Sequence, residues 1–445
     1  MKRIRMIAVF SVVVLCCVCL SGCGVISADV EKQLIPPKNN TEQESIQTAL
    51  HEYLQNDDYL LKYPAGGEYQ TPFILLNQIE LPPIVENTSA TVLPSSTAWG
   101  DMAVVFYRVY DNQSVTQIHL LQKNKNDEWV SVANAEGDSE EVSEVTFADV
   151  NGDGCPELLV GWSLYNSNDK LLAMYRLDRQ LEQFPLRVSY TKLLVGDMTN
   201  DMAHDLILLT VEANRMGATA SLFCYRGKQF FLRGQTRLDN QIRRFGKAAF
   251  SALSPTVNGL YIDCYKYANT TITELIYWDG TELHAPFYNS QTGLTTITAR
   301  ETGFESRDVD GDGLIEWPVS RRLPGYEHTP LNKTFWRTDW MAYDFRSGAS
   351  VTKFSSIVNS ADSYMFRLRG DWVTKIRTTY DEERHILSLQ LADSEQPFLE
   401  LLSTVQDTVP EGFTVFEKSN QCRYAYKIIG DTITVQEVQY LFSMI

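Results

Sequence analysis

The chain has 445 residues and a formal net charge of −17, with 44% hydrophobic and 11% aromatic residues. This length and composition are sufficient to bury a core and indicate two or three domains. A surface this acidic repels nucleic acid and anionic lipid headgroups and suits divalent cations or basic partners, so we expect no nucleic-acid partner.

The N-terminus has the pattern of an export signal. Three basic residues precede an apolar run over residues 6–20, which predicts a signal peptide over residues 1–22. The run ends in LSGC, which resembles a bacterial lipobox, and this resemblance implies a lipid on Cys23. The chain would then be anchored to the cell membrane on its extracytoplasmic face. An ordinary signal peptide or a short anchor is the alternative, although the run is shorter than the about 20 residues of a membrane span.

A tether and a helix are expected next. Residues 23–42 are polar and contain a Pro-Pro pair, as in a spacer. Within residues 43–92, the segment 43–55 places Ile46, Leu50 and Leu54 four apart and predicts a short amphipathic helix, followed by leading strands. Four cysteines remain beyond the tether, without a CxxC pair, so a disulfide stays open and a zinc site is not expected: Cys155, Cys224, Cys264 and Cys422.

One nine-residue acidic loop recurs along the chain. The stretches DVNGDGCPE (149–157) and DVDGDGLIE (308–316) share acid or amide side chains at positions one, three and five, glycine at four and six, and an acid at nine. The stretch DMTNDMAHD (197–205) keeps the acids at one, five and nine but has Thr199 and Met202 in place of a ligand and a glycine. We expect Met202 to disfavour the turn.

The loop recurs in phase with strands. A strand and then a hairpin follow each loop, and similar strand patterns near residues 101 and 260 lack the acids, which gives a repeat of about fifty residues. This predicts a mainly β fold: a β-propeller of about five or more four-stranded blades with calcium loops over residues 93–356. A β-sandwich also explains alternating strands, but it does not require the same loop to recur at the same position of each repeat.

The segments FADVNGDGCPELLVGW and SRDVDGDGLIEWPV resemble the FG-GAP or VCBS repeats of integrin α-subunit propellers and of many bacterial surface proteins. The resemblance covers about residues 90–355. It implies propeller architecture and calcium binding, and it does not define a biological role, because such repeats occur in adhesion proteins, enzymes and scaffolds.

The loop chemistry itself suits calcium, which takes six to eight hard oxygen ligands. An EF-hand is excluded because Val160 and Val319 occupy its position twelve and strands flank the loops. Solvated turns without an ion are the alternative. We expect a structural ion held by three sets of ligands, the third weaker than the others: Asp149, Asn151, Asp153, the Cys155 carbonyl and Glu157; Asp308, Asp310, Asp312, the Leu314 carbonyl and Glu316; and Asp197, Thr199, Asp201, the Ala203 carbonyl and Asp205.

Residues 357–445 break the repeat. Alternating strands come first, and PFLELLSTVQ and VQEVQYLFSMI are typical of helices, so a small C-terminal α+β domain is expected.

The sequence contains no HExxH, GxSxG or phosphate-binding glycine motif. We therefore favour a lipid-anchored, calcium-stabilised propeller that acts as a binding or scaffold module for a protein or glycan partner. The alternative is an extracellular carbohydrate-active enzyme with carboxylates on one propeller face. Acidic and aromatic residues clustered outside the three loops would favour the enzyme. Four tryptophans could stack on sugars, although hairpins also bury them: Trp129, Trp162, Trp278 and Trp336.

Overall fold

A computed structural model describes residues 41–445, apart from residues 56–57, 83, 87–88, 92–100, 111–114, 179, 213–216, 268, 302, 325, 327 and 329–334. The signal peptide, the lipid site at Cys23 and nearly all of the tether lie outside the described residues. Within the described ranges, no helix is both long and apolar enough to span a membrane.

The fold is mainly β, as predicted. In the described residues, two α-helices, α1 (Thr41–Leu54) and α2 (Val435–Leu441), accompany six antiparallel sheets of about four strands each. Helix α1 confirms the helix predicted over residues 43–55, and its Ile46 and Leu50 are buried. A short two-stranded ribbon pairs β3 (Ile84–Glu86) with β4 (Ser89–Thr91).

The six sheets follow one another in chain order. The first sheet contains β1 (Tyr59–Leu61), β2 (Phe73–Leu75), β5 (Met102–Val109), β6 (Gln117–Lys123) and β7 (Trp129–Glu136), and the second contains β8 (Val142–Ala148), β9 (Glu157–Ser163), β10 (Lys170–Tyr175) and β11 (Val188–Tyr190). The third sheet contains β12 (Lys192–Gly196), β13 (Asp205–Glu212), β14 (Gly217–Arg226) and β15 (Gln229–Leu238), and the fourth contains β16 (Arg244–Ser254), β17 (Val257–Tyr265), β18 (Thr270–Trp278), β19 (Leu283–His284) and β20 (Arg300–Glu301). The fifth sheet contains β21 (Trp317–Arg322), β22 (Trp336–Asp344), β23 (Ala349–Asn359), β24 (Tyr364–Leu368) and β30 (Phe442–Met444), and the sixth contains β25 (Ile376–Asp381), β26 (Ile386–Leu391), β27 (Leu399–Thr404), β28 (Thr414–Lys418) and β29 (Arg423–Ile428).

Alternating side chains make each central strand apolar on both faces. In β9, Leu158 and Val160 pack into a core shared with the first sheet, and Leu159 packs into a core shared with the third. Further cores join the third sheet to the fourth, the fourth to the fifth and the fifth to the sixth. Four-stranded antiparallel sheets that pack face to face in chain order are the arrangement of propeller blades.

Helix α1 packs on the face of the first sheet that points away from the second. Its Ile46 and Leu50 form a core with Ala103, Val105 and Tyr107, which alternate along β5 with the residues that face the second sheet. The first sheet is therefore covered on both faces.

The C-terminal region differs from the sequence prediction in one element. The segment PFLELLSTVQ is not helical, because Leu399–Thr404 forms β27, which pairs with β26 on one side and β29 on the other. The predicted boundary between residues 356 and 357 falls within β23. The fifth and sixth sheets share one apolar core that runs across this boundary.

The second predicted C-terminal helix is confirmed in part. Thr434 caps α2, because its hydroxyl accepts a hydrogen bond from the Glu437 N–H while the Glu437 carboxylate accepts from the Thr434 N–H. The helix ends before Phe442, and Phe442–Met444 forms β30, which pairs with β24.

Candidate metal centre

The three acidic loops occupy equivalent connections in the fold. The loop 149–157 joins β8 to β9, and the loop 197–205 joins β12 to β13. The loop 308–316 follows an isolated bridge between Arg307 and Glu316 and leads into β21. In the fourth sheet, only residues 255–256 separate β16 from β17, which fits the expectation that this repeat lacks the acids.

The first acid of each loop accepts hydrogen bonds from backbone N–H groups. Asp149 accepts from the N–H groups of Gly152 (2.8 Å) and Gly154 (2.8 Å). Asp308 accepts in the same way from Gly311 (2.6 Å) and Gly313 (2.8 Å). Asp197 accepts from the N–H groups of Asp201 (3.0 Å) and Met202 (2.9 Å). The three loops therefore wrap their backbone around the first carboxylate in the same way.

The ninth residue closes each loop. Glu157 accepts a hydrogen bond from Val150 N–H (3.0 Å), and Glu316 accepts from Val309 N–H (2.9 Å). In the third loop, Asp205 accepts from Met198 N–H (2.9 Å). The seventh residue of each loop is the one whose carbonyl is expected to bind the ion. Its backbone N–H donates a hydrogen bond to the carboxylate of the fifth residue: Cys155 to Asp153, Leu314 to Asp312 and Ala203 to Asp201.

The loop turns require positive φ at positions four and six. Gly152 and Gly154 have φ of 71° and 83°, and the glycines of the 308 loop have similar values. Asn200 (58°) and Met202 (71°) take the same conformation without glycine. The 197 loop therefore forms the turn even though Met202, the residue expected to disfavour it, is strained at this φ.

Contacts between neighbouring sheets link the loops. The His204 N–H donates to the Asp149 carbonyl (2.9 Å), and the Asn258 amide donates to the Asp197 carbonyl (2.8 Å). The Ser251 hydroxyl donates to the Gly313 carbonyl (2.9 Å). The loops thus lie at one end of the second, third and fifth sheets, and side chains of the fourth sheet connect the 197 loop to the 308 loop.

The 308 loop brings its carboxylates closest together. Oxygen atoms of Asp308, Asp310 and Glu316 lie within 4.8 Å of one another, which is about twice a calcium–oxygen distance. This cluster could hold a metal ion.

Lys353 is a member of this site that the sequence did not indicate. From β23, its Nζ lies 3.0 Å from Asp310 and 2.7 Å from Glu316, and it also pairs with Asp312. Burial alone would lower the pKa of Lys353, but the hydrogen bonds to these carboxylates raise it. Lys353 is distant from the loop in the sequence, so no local sequence pattern indicates the contact. Only the pairing of strands in the fifth sheet brings β23 close to the loop.

The other two loops also bury their acids. Burial raises the pKa of Glu157 to about 8 and that of Asp205 to about 6. In the 149 loop, the Asn151 amide donates a hydrogen bond to Glu157. A nearby divalent cation would reverse both shifts, because it favours the charged carboxylates.

The four described cysteines are free, so the disulfide left open by the sequence is not formed among them. Cys264 is buried, Cys155 is exposed, and Cys224 and Cys422 are half-buried.

Two buried charge clusters fasten the segment between β19 and β21 to the fourth sheet. In one, the Arg300 guanidinium donates to Asp263 (2.7 Å), which also accepts from Ser306 N–H. In the other, the Glu274 carboxylate accepts from the N–H of Asp239 (2.9 Å) and the hydroxyl of Thr295 (2.8 Å). Both clusters depend on residues far apart in the chain, and we assign them a structural role.

Glu274→Gln is expected to stabilise the protein at pH 8 and to have little effect at pH 4.5. Burial raises the pKa of Glu274 to about 7, so ionisation disfavours the folded state as the pH rises from about 4.5 to 7. A shift of this size corresponds to roughly 3 kcal/mol, which glutamine avoids. Denaturant unfolding at both pH values measures the difference, with the exposed Glu282→Gln as control. The prediction would be contradicted if Glu274→Gln lowered the free energy of unfolding by the same amount at pH 8 and at pH 4.5.

No family model matches the chain, and no curated protein sequence matches it. The resemblance to FG-GAP and VCBS repeats therefore stays a prediction. Solved structures similar to the chain include the rhamnogalacturonan lyase YesW, at 11% identity over 82% of this chain and 80% of that one, with a TM-score of 0.31. The exotype rhamnogalacturonan lyase YesX has 14% identity over 77% and 65%, with a TM-score of 0.32. The Dos1 propeller has 10% identity over 74% and 64%, with a TM-score of 0.29.

The class of protein is thus defined by its own topology. The described residues form a mainly β protein of six blade-like antiparallel sheets, in which three acidic loops lie at one end of the second, third and fifth sheets. In one of these loops, three carboxylates lie close enough together to hold a metal ion.

Proposed function

We propose that the protein is a calcium-stabilised β-propeller that is anchored by a lipid on Cys23 to the extracytoplasmic face of the cell membrane. There it acts as a binding or scaffold module for a protein or glycan partner. The observation that carries this proposal is the shared geometry of the three acidic loops, which fold alike and lie at one end of the second, third and fifth sheets.

Calcium would be held by the side chains that the sequence indicated. In the 308 loop these are Asp308, Asp310, Asp312 and Glu316, and a bound ion would replace the ammonium group of Lys353. In the 149 loop, Asp149, Asp153 and Glu157 supply the charge. When bound, the ion neutralises the clustered carboxylates and fixes the connection between two strands, which is a structural role.

Calorimetric titration of the metal-free chain from residue 24 onward tests the calcium sites. We expect binding at the 149 and 308 loops, with calcium preferred to magnesium because the loops offer many oxygens in a flexible setting. Asp149→Ala should remove one site and Asp308→Ala the other, whereas the exposed Glu411→Ala should retain both. Heat of binding that is unchanged in both loop variants would contradict the assignment.

Lipid attachment requires a separate test. In a bacterial host, the full chain should incorporate labelled palmitate and sediment with membranes, and Cys23→Ser should abolish the labelling. A labelled Cys23→Ser protein would exclude this attachment site.

A carbohydrate-active enzyme is the second candidate. The observation in its favour is that Asp381 and Glu382 line a cleft beside Trp336 and Tyr380, outside the three loops. Incubation with soluble polysaccharides, followed by measurement of new reducing ends and unsaturated products, distinguishes the two functions. The binding module should release neither.

A further inference from the structure

A cleft of about 820 Å³ lies between the fifth and sixth sheets, and we call it the inter-sheet cleft. Its volume falls in the range of about 300–1,000 Å³ that is typical of small-molecule sites. Of its lining, the argument uses the aromatic residues Tyr326, Phe335, Trp336 and Tyr380 and the acids Asp381 and Glu382.

The aromatic side chains form one partly exposed surface. The ring centroids of Phe335 and Tyr380 lie 5.2 Å apart, and those of Tyr326 and Phe335 lie 6.5 Å apart. Tyr326 is held in place because its hydroxyl donates to the Thr378 carbonyl (2.8 Å). The negative face of an aromatic ring attracts the positively polarised C–H groups of a sugar ring, so this surface suits stacked saccharide units.

The polar lining defines the charge that the cleft accepts. Hydroxyl and amide groups of Ser320, Asn359 and Thr379 offer donors and acceptors. The described lining residues include no lysine, arginine or histidine, and the nearby Arg322 guanidinium lies 5.5 Å from the centroid of the Trp336 ring, which leaves the other face of that ring for a sugar. Asp381 and the exposed Glu382 make the cleft acidic. A neutral, hydroxyl-rich ligand fits this lining, whereas a polymer of uronic acids would be repelled.

A buried aspartate holds two residues that line the cleft. The Asp362 carboxylate accepts hydrogen bonds from the Asn359 amide (2.8 Å), the Tyr380 hydroxyl (2.9 Å) and Nδ1 of His385 (2.6 Å). Asn359 and Tyr380 are thereby held in position before any ligand binds.

The same aspartate lines a second hollow of about 590 Å³, which adjoins the cleft at Ala361. Asp362 and His385 line this hollow, and Ala361 lines both hollows. His385 has a φ of 55°, a strained conformation for a residue other than glycine, and its side chain is 52% exposed. An elongated ligand can extend past the 359–363 turn from the aromatic hollow to His385.

We propose that the inter-sheet cleft binds a neutral oligosaccharide, which stacks on Trp336 and Tyr380 and extends toward His385. The inference rests on the proposed role as a binding module and deepens it, because it names the glycan class and the site. It does not depend on calcium, since the acidic loops contribute none of the lining of the cleft.

Affinity electrophoresis of the chain from residue 24 onward tests the proposal. Native gels would contain glucomannan, arabinoxylan, mixed-linkage β-glucan or pullulan as neutral probes and polygalacturonate as the acidic probe. At least one neutral polysaccharide should retard the protein, and polygalacturonate should not. Trp336→Ala and Tyr380→Ala should each weaken the retardation roughly tenfold or more, as expected for central aromatic contacts.

Matched variants separate binding from folding. Tyr165→Ala removes an aromatic side chain that is 93% exposed and lies outside the cleft, and it should bind like the wild type. Glu382→Lys changes only an exposed side chain, so it should fold normally and gain retardation by polygalacturonate. This variant remains informative if Trp336→Ala fails to fold.

Retardation by no neutral probe, retardation by polygalacturonate alone, or retardation that both aromatic variants retain would overturn the inference. Calcium binding measured on the same preparations keeps the two proposals apart. Calcium binding without glycan binding removes only the cleft assignment, whereas glycan binding without calcium binding removes only the role of the ion.

Discussion

Asp263→Ala is expected to lower the free energy of unfolding by about 3–5 kcal/mol, because it leaves the buried guanidinium of Arg300 without its charge partner. Arg300 and Asp263 have side chains that are 3% and 1% exposed, and their atoms are 2.7 Å apart. Asp263 also accepts hydrogen bonds from Ser306 N–H (2.7 Å) and the Thr273 hydroxyl (2.8 Å), which would lose an acceptor. Denaturant unfolding at neutral pH measures the loss.

A double-mutant cycle provides the control for this prediction. Arg300→Met together with Asp263→Ala removes both charges. The double variant should therefore lose clearly less free energy of unfolding than the sum of the losses in the two single variants. Additive costs would show that the two residues act independently and would contradict the buried ion pair as the cause.

Calcium is expected to raise the unfolding temperature of the metal-free protein. At a hundredfold excess of ion over the dissociation constant, each occupied site adds about 2.7 kcal/mol to the stability of the folded state. The effect should disappear in the double variant Asp149→Ala and Asp308→Ala. Thermal unfolding with chelator, with calcium and with magnesium measures it.

Lys353→Met is the most informative companion to this experiment. Without metal it removes the cation that lies among Asp310, Asp312 and Glu316, so the variant should unfold at a lower temperature than the wild type. Added calcium should reduce this difference in unfolding temperature, because the ion then neutralises the same carboxylates. If calcium leaves the unfolding temperature of both proteins unchanged, the loops are turns without an ion, and the lipid prediction is unaffected.

The sequence by itself determined the local features. The acid and glycine spacing of the 149 and 308 loops predicts their turns, since glycine takes a positive φ without steric strain, as Gly154 and Gly313 do. The four-residue spacing of Ile46 and Leu50 likewise predicts α1, and the apolar residues that follow the 149 loop predict the strand β9. Such patterns are readable because they depend on neighbours in the chain.

Only the tertiary structure decided the features that depend on distant residues. Leu399–Thr404 becomes a strand because β26 and β29 pair with it on both sides, and Met202 takes a strained turn because the third sheet fixes its loop. Lys353 reaches the acidic loop, and Asp362 gathers Tyr380 and His385, only when separate strands are packed together. Sequence periodicity specifies which face of a strand is buried, but it contains no information about which side chain from another strand that face will meet.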